Sequence, residues 1–150
     1  MEIKPAAQVL AAHYELLLDA DPSREMVDRY LKKGTLFEAK VRSQIVGVLA
    51  LVPTSKDAVE IMNLAVDEKY RGQGIAQEML QFAIEQAQVN GYQRIEIGTG
   101  STSFQQLYLY QKCGFRLTHI DQDFFVRYYS EPIVENGLVL KDMVRLALEF

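Results

Sequence analysis

A glycine-containing turn is the segment of this sequence best suited to hold a ligand, and it reads Arg71-Gly72-Gln73-Gly74-Ile75-Ala76. It lies between an apolar strand and an amphipathic helix. Glycines at positions 72 and 74 let the backbone turn sharply and approach a ligand without a Cβ in the way. The first N–H groups of the helix lack helical partners, and the helix dipole favours negative charge beside them. The turn therefore predicts an anion site of the kind that binds phosphate groups.

Two other phosphate-binding motifs do not fit this turn. The dinucleotide pattern G-x-G-x-x-G would need glycine where Gln77 stands. No Lys-Ser/Thr pair follows, as it would in a nucleoside-triphosphate loop. An ordinary helix entry that happens to contain two glycines stays open as an alternative, because such entries are common.

The composition excludes several classes of protein. The 150 residues suit one domain, predicted to span residues 1–150. A net charge of −4 argues against general nucleic-acid binding and weakly favours a cationic substrate. The chain has one cysteine, Cys113, no recognisable secretory leader and no apolar run near the roughly 20 residues of a membrane span, so a cytoplasmic location is expected. His13 and His119 stand alone, which predicts no metal site.

The hydrophobic pattern predicts the elements that must position this turn. Period-two or continuous apolar runs indicate strands, and helical spacing indicates helices. Strands are predicted at residues 2–4, 35–41, 44–52, 59–66, 92–98, 115–120 and 141–150, and helices at 7–18, 23–33, 74–90 and 104–112. The strand-helix-strand unit at the centre, with antiparallel pairs outside it, predicts an α/β domain with a mixed sheet.

Two motifs resemble signatures of the GNAT superfamily of acetyl-CoA-dependent N-acetyltransferases. Arg71-x-x-Gly74-x-Ala76 matches the R/Q-x-x-G-x-G/A signature. The second motif looks like L-Y-x-K-x-G-F and reads Leu109-Tyr110-Gln111-Lys112-Cys113-Gly114-Phe115. The strand order also fits, so the resemblance covers essentially the whole chain. It implies a GNAT-like fold, with a central, mostly antiparallel sheet of about six to seven strands flanked by about four helices.

The resemblance implies acetyl-CoA as the co-substrate. The pyrophosphate would be held by the N–H groups of residues 72–76 and by the side chain of Arg71. Ser103 stands where the family usually has Asn, so a cofactor contact at this position would come from a shorter donor. The pantetheine arm would pair like an added strand with the backbone of Leu64, Ala65 and Val66.

The resemblance also implies two catalytic roles. Tyr110 matches the family's usual general acid, and a phenol with a pKa near 10 retains a proton for the departing CoA thiolate. Glu60 is a charge inside an apolar strand, at a position where some family members carry a general base. Each has a plainer alternative: Tyr110 as a packed aromatic, and Glu60 as a strand-end carboxylate facing water. Asn63 could instead mark a bulge that separates the strands.

The implied reaction is direct attack of a primary amine, from a small molecule or a peptide, on bound acetyl-CoA. Two alternatives stay open: a catalytically silent acyl-CoA-binding module, and an acyltransferase with a different acyl chain or acceptor. Acceptor contacts are sought at Tyr14, Tyr30, Asp121 and Asp123, while the aromatic stretch at residues 124–129 could line the acceptor pocket or be core. The identity of the acceptor and the presence of a homodimer are left open.

Overall fold

A seven-stranded mixed sheet organises the chain in the computed structural model, which describes residues 1–150. The elements in chain order are β1 (Glu2–Pro5), α1 (Ala11–Ala20), α2 (Arg24–Leu31), β2 (Thr35–Val41), β3 (Gln44–Pro53), β4 (Ala58–Val66), α3 (Ile75–Val89), β5 (Arg94–Gly100), α4 (Phe104–Lys112), β6 (Arg116–Asp121), α5 (Phe124–Tyr128), β7 (Ile133–Glu135), β8 (Leu138–Leu140) and β9 (Met143–Glu149). The order across the sheet is β1-β2-β3-β4-β5-β9-β6, and only β4 and β5 run parallel. The predicted fold, a mostly antiparallel mixed sheet with helices, is confirmed.

The sheet carries a core on each of its two faces. On one face α3 packs its apolar stripe, centred on Met79 and Leu80, against the strands. Gly47 of β3 permits this close approach, since a Cβ there would lie 2.7 Å from the Met79 sulfur. On the other face α1 and α2 contribute Leu17 and Val27 to a second cluster. The central strands are therefore buried on both sides, as the continuous apolar character of β4 predicts.

A bulge in β4 opens the sheet at its centre. Ala50 of β3 lies opposite Asn63, but the next residue, Leu51, lies opposite Ile61, so Met62 has no cross-strand partner. The parallel pairing of β4 with β5 ends at the same level, at Ile61. Beyond it β4 continues with β3, and β5 continues with β9. The bulge considered for Asn63 is thus observed, and the two strands leave a gap between them.

Three C-terminal elements, α5, β7 and β8, were not predicted. The stretch at residues 124–129 forms the short helix α5, whose five residues are too few to show a helical period. The strands β7 and β8 form a separate hairpin closed by Asn136 and Gly137, both with positive φ. Asn-Gly is the strongest short hairpin signal in a sequence, so this turn was open to prediction. None of the helices combines the length and apolar character needed to cross a membrane.

Candidate active site

A cleft of about 790 Å³ opens where β4 and β5 separate. The β4 wall runs from Ile61 to Val66, and the β5 wall from Ile97 to Gly100. The glycine turn and the start of α3 close one end, and α4 contributes Leu109 and Tyr110. The cleft therefore lies at the level of the bulge, beside the residues to which the resemblance assigned the pantetheine arm.

The glycine turn has the geometry of an anion site. Gly72 and Gly74 have φ of +78° and +81°, a left-handed conformation that side chains rarely adopt. A Cβ built on either residue would meet nothing within 4 Å, so conformation and not crowding selects glycine. Gly74 precedes the first residue of α3, which leaves the N–H groups of the first helical turn open to a ligand.

The residues predicted to hold a pyrophosphate come together at this turn with one exception. Arg71, Gly72, Gly74, Ile75 and Ala76 all line the cleft. Gln73 is exposed and does not line it, whereas Gln77, one turn into α3, does. The Gln77 position follows from helical spacing once the turn is known, but no sequence signal singled it out.

Arg71 is tied to two neighbours. Its Nε donates to the carbonyl of Val66 at 3.2 Å, which fixes the side chain against the end of β4. Its Nη2 donates to Asp19 Oδ2 of α1 at 2.8 Å. Both side chains of this ion pair are more than half exposed, so the pair adds at most about 1 kcal/mol of stability.

Tyr110 belongs both to the core and to the lining of the cleft. Tyr110 is 6% exposed, and the centroid of its ring lies 6.3 Å from that of the Phe115 ring. Burial raises the pKa of the phenol above its ordinary value of 10, which favours the protonated form. Tyr108, two residues earlier on α4, is exposed and lies outside the cleft.

Ser103 occupies the N-cap position of α4 but does not cap the helix with its side chain. Its Oγ donates instead to Glu135 Oε1 at 2.5 Å, and Thr102 Oγ1 donates to the same oxygen at 3.2 Å. Asn136 Nδ2 donates to the carbonyl of Thr102 at 2.7 Å. These bonds tie the β7–β8 hairpin to the start of α4 and bring Glu135, which sequence reasoning missed, into the cleft lining.

Glu60 lies outside the cleft lining, in an ion pair. Arg145 Nη1 of β9 donates to Glu60 Oε2 at 3.2 Å. The guanidinium crosses β5 above Gly98, where a Cβ would lie 3.1 Å from Arg145 Nη1. Burial raises the pKa of the Glu60 carboxyl, Arg145 partly offsets this, and Glu96 adds to it. The structure therefore does not bring Glu60 and Tyr110 together in the wall of one cleft.

None of the four side chains predicted to contact the acceptor lines the cleft. Tyr14 donates to Asp28 under a stacked Arg24, and Asp121 pairs with Arg127. Tyr14, Asp121 and Asp123 all lie outside the lining of the cleft. Tyr30 is buried beside the cleft in the core shared by α1 and α2. From the aromatic stretch, Phe125 and Tyr129 reach the cleft, where the loop after α1 adds Asp21.

The surroundings of His13 and Cys113 are those of residues with a structural role. His13 is fully buried, and its Nε2 lies 3.1 Å from Glu38 Oε1. The N–H of Leu10 donates to His13 Nδ1, so Nε2 carries the proton and donates to Glu38. Cys113 is a half-buried free thiol whose pKa is raised by burial. No group of three or more His, Cys, Asp or Glu side chains is arranged to hold a metal ion.

A glycine turn at a helix start, beside two diverging strands, is the arrangement expected of an acyl-CoA-dependent acyltransferase. The chain belongs to the acetyltransferase (GNAT) family, whose family model matches residues 7–115. It is 48% identical over 136 residues to the uncharacterized N-acetyltransferase YvbK of Bacillus subtilis (strain 168), covering 91% of this chain and 88% of the relative. The family, the fold and the assignment as an acyltransferase are thereby confirmed.

Two solved structures agree with the fold over the whole chain. A GNAT family acetyltransferase from Elizabethkingia anophelis, with acetyl-CoA bound, has a TM-score of 0.95 and 44% identity, covering 99% of this chain and 97% of its own. A Bacillus subtilis acetyltransferase in complex with CoA has a TM-score of 0.95 and 45% identity, with the same two coverages of 99% and 97%.

Proposed function

We propose that this chain transfers the acetyl group of acetyl-CoA to a primary amine, of a small molecule or a peptide, by direct attack in a ternary complex. The observation that carries the proposal is the cleft between β4 and β5, which joins the glycine turn to Tyr110 in one continuous space. The acetyl-CoA and CoA bound by the two similar structures support it.

The co-substrate is held from two sides. Its pantetheine arm follows Leu64, Ala65 and Val66, whose strand has lost its β5 partner at this level and offers free backbone groups. Its pyrophosphate lies on the N–H groups of residues 72–76. The guanidinium of Arg71 leaves Asp19 and binds the pyrophosphate, because a surface ion pair is weak enough to be replaced by this contact. Ser103 donates a hydrogen bond to the co-substrate only when its hydroxyl leaves Glu135.

The reaction then needs positioning more than covalent help from the protein. The amine nitrogen forms a bond to the thioester carbon, backbone N–H groups near Leu64 stabilise the charge on the carbonyl oxygen, and the C–S bond breaks. Tyr110 gives its proton to the departing thiolate, and the proton that the new amide nitrogen loses restores the phenol through water. Glu60 takes the proton of the substrate ammonium through water, since it does not line the cleft itself.

The proposal extends to the whole chain as one N-acetyltransferase domain at residues 1–150, in the cytoplasm. A single sheet that includes both β1 and β9 supports the first point. The single free cysteine, Cys113, is in keeping with a reducing compartment.

The test is calorimetric titration of acetyl-CoA into wild type, Gly74→Asp and Gly74→Asn. Both substitutions place a side chain of the same shape at a positive φ that Asp and Asn tolerate better than other residues, but only Asp adds a negative charge. We expect the dissociation constant to rise at least about 10-fold in the Asp variant relative to the Asn variant, in line with one lost charge-assisted contact. Absence of binding by folded wild type, or equal weakening in both variants, would refute the pyrophosphate site.

A further inference from the structure

The lining of the cleft carries more negative than positive charge, and two of its three carboxylates have no cationic partner. Asp19, Asp21 and Glu135 line the cleft, and Arg71 is the only Lys or Arg that does so. Arg71 already pairs with Asp19. Asp21 receives hydrogen bonds only from neutral donors: the hydroxyl of Tyr129 at 2.8 Å, the backbone N–H of Ser23 at 3.2 Å and the hydroxyl of Tyr30 at 3.4 Å. These donors orient the carboxylate and leave its charge available.

The floor of the same cleft carries a buried acceptor without a donor. Asn63 is 4% exposed, and its Oδ1 is the one buried side-chain nitrogen or oxygen of the molecule that lacks a hydrogen-bond partner. Its Nδ2 donates to the carbonyl of Leu17 at 3.0 Å and to the hydroxyl of Tyr30 at 2.9 Å. A carbonyl can only accept, which fixes the orientation of the amide. An unmet buried acceptor costs about 1–3 kcal/mol. Asn63 lines the cleft, so a small shift of its side chain would let a ligand N–H reach Oδ1 and remove that cost.

One hydrogen-bond chain joins these two features. Tyr30 accepts from Asn63 and donates to Asp21, so the free amide oxygen and the free carboxylate charge lie two hydrogen bonds apart. Phe125 and Tyr129 line the cleft beside Asp21, with ring centroids 5.6 Å apart. The rings offer an apolar wall for an aliphatic stem and a negative face for a cation.

We propose that the amine acceptor carries a second, cationic nitrogen, which Asp21 binds while Asn63 Oδ1 receives an N–H of the reacting nitrogen. The inference rests on the proposed acetyl transfer. Asp21 is charged and the Asn63 amide is neutral, which matches the charges of the two nitrogens that they would bind. The reacting nitrogen must be neutral to attack, and a neutral amide oxygen orients it without favouring its ammonium form. The second nitrogen stays protonated and pairs with a carboxylate.

The experiment measures thiol release from acetyl-CoA with three acceptors of equal chain length. These are 1,4-diaminobutane, butylamine and 4-aminobutanoate, which place a cation, a methyl group or a carboxylate opposite the reacting amine. In wild type we expect kcat/KM for the diamine to exceed that for butylamine by about 10- to 100-fold, the range of a hydrogen bond to a charged group. The aminobutanoate should be the poorest of the three.

The variant Asp21→Asn should bring kcat/KM for the diamine close to that for butylamine. The control is Asp28→Asn, which removes the same charge from α2 but on the side of Tyr14 and Arg24, outside the cleft. It should keep the preference for the diamine. Equal loss in both variants would mean that the preference is a long-range effect of net charge, and the proposed contact would be wrong.

A parallel titration with acetyl-CoA separates the two levels of the proposal. If folded wild type does not bind acetyl-CoA, the acetyl transfer itself is refuted. If it binds acetyl-CoA but treats the three acceptors alike, or acetylates none of them, only the two-nitrogen acceptor is refuted. Should Asp21→Asn not fold, the wild-type ratio of the diamine to butylamine decides alone, and a ratio near one overturns the inference.

Discussion

Tyr110 is the residue proposed to protonate the departing thiolate. Its ring is packed in the main core cluster, and the residue still lines the cleft. Burial raises the pKa of the phenol, which favours the protonated form over a wider range of pH. The core contacts hold the ring in one position, which supports the proposal of a preorganised proton donor.

We expect Tyr110→Phe to lower kcat by about 10²- to 10³-fold, within the range for loss of a general acid. The ring and its contact with Phe115 stay, so the melting temperature and the affinity for acetyl-CoA should change little. Initial rates of thiol release and calorimetry measure these quantities. The control is Tyr108→Phe on the exposed side of the same helix, which should behave like wild type. An unaltered kcat in Tyr110→Phe would return Tyr110 to the role of a packed aromatic.

The residues that sequence could and could not reveal differ in how they are positioned. Gly72, Gly74 and Tyr110 belong to short local motifs, in which spacing alone fixes the geometry, and the structure gathers them around one cleft. Asn63 and Asp21 come from separate elements and meet only through the side chain of Tyr30. No local pattern encodes such a meeting, because it depends on how α1, α2 and β4 pack together.

The secondary-structure elements were likewise predictable where local spacing determines them, and less so where tertiary contacts do. Helix α3 is long and strongly periodic, and its predicted and observed bounds agree to within a residue. Helix α1 begins at Ala11 instead of residue 7, which leaves the preceding segment free to run beside β2. Ser103 stands at the predicted start of α4, but its hydroxyl is drawn to Glu135 of a hairpin that the sequence analysis did not include. Tertiary partners thus override local capping where a charged acceptor is within reach.

The ion pair between β4 and β9 offers a test of Glu60 as a base. A base acts only when ionised, so kcat/KM should fall as pH drops through the pKa of Glu60, which burial raises above its ordinary value of 4.5. Arg145 lowers that pKa and Glu96 raises it. We therefore expect Arg145→Met to move the acid limb of the pH profile to higher pH and Glu96→Gln to move it to lower pH.

The variant Glu60→Gln completes this test, since an amide cannot titrate. Its profile of kcat/KM against pH should lose the inflection that Glu60 gives in wild type and keep only the fall set by the pKa of the substrate ammonium, near 10. If the lower inflection persists in Glu60→Gln, or if it moves in neither Arg145→Met nor Glu96→Gln, another group takes the proton. Asp21 and Glu135, the carboxylates in the cleft that form no ion pair, would then be examined in the same way.

At the scale of the whole molecule, the separation of β4 from β5 creates the cleft and also leaves the two parts of the sheet joined over a short length. The two parts of the sheet are joined by four residue pairs, from Ala58 with Arg94 to Ile61 with Ile97. On one side of the gap lie β1 to β4, and on the other lie β5, β9 and β6. A co-substrate that contacts β4, the glycine turn and α4 at once would link these parts and stabilise the folded state by mass action.

At 100 times its dissociation constant, acetyl-CoA should add about 2.7 kcal/mol to the free energy of unfolding. For a chain of this size that corresponds to a rise of roughly 5–10 °C in the melting temperature, measured by differential scanning fluorimetry. Pantetheine keeps the arm that follows residues 64–66 but lacks the pyrophosphate, so at the same concentration it should give a much smaller rise. An equal rise with both compounds would place the affinity in the arm and not at the glycine turn. No rise in amide protection on the β5 side of the gap, measured by hydrogen exchange at residues 97–100 with acetyl-CoA bound, would mean that the co-substrate does not bridge the two parts of the sheet.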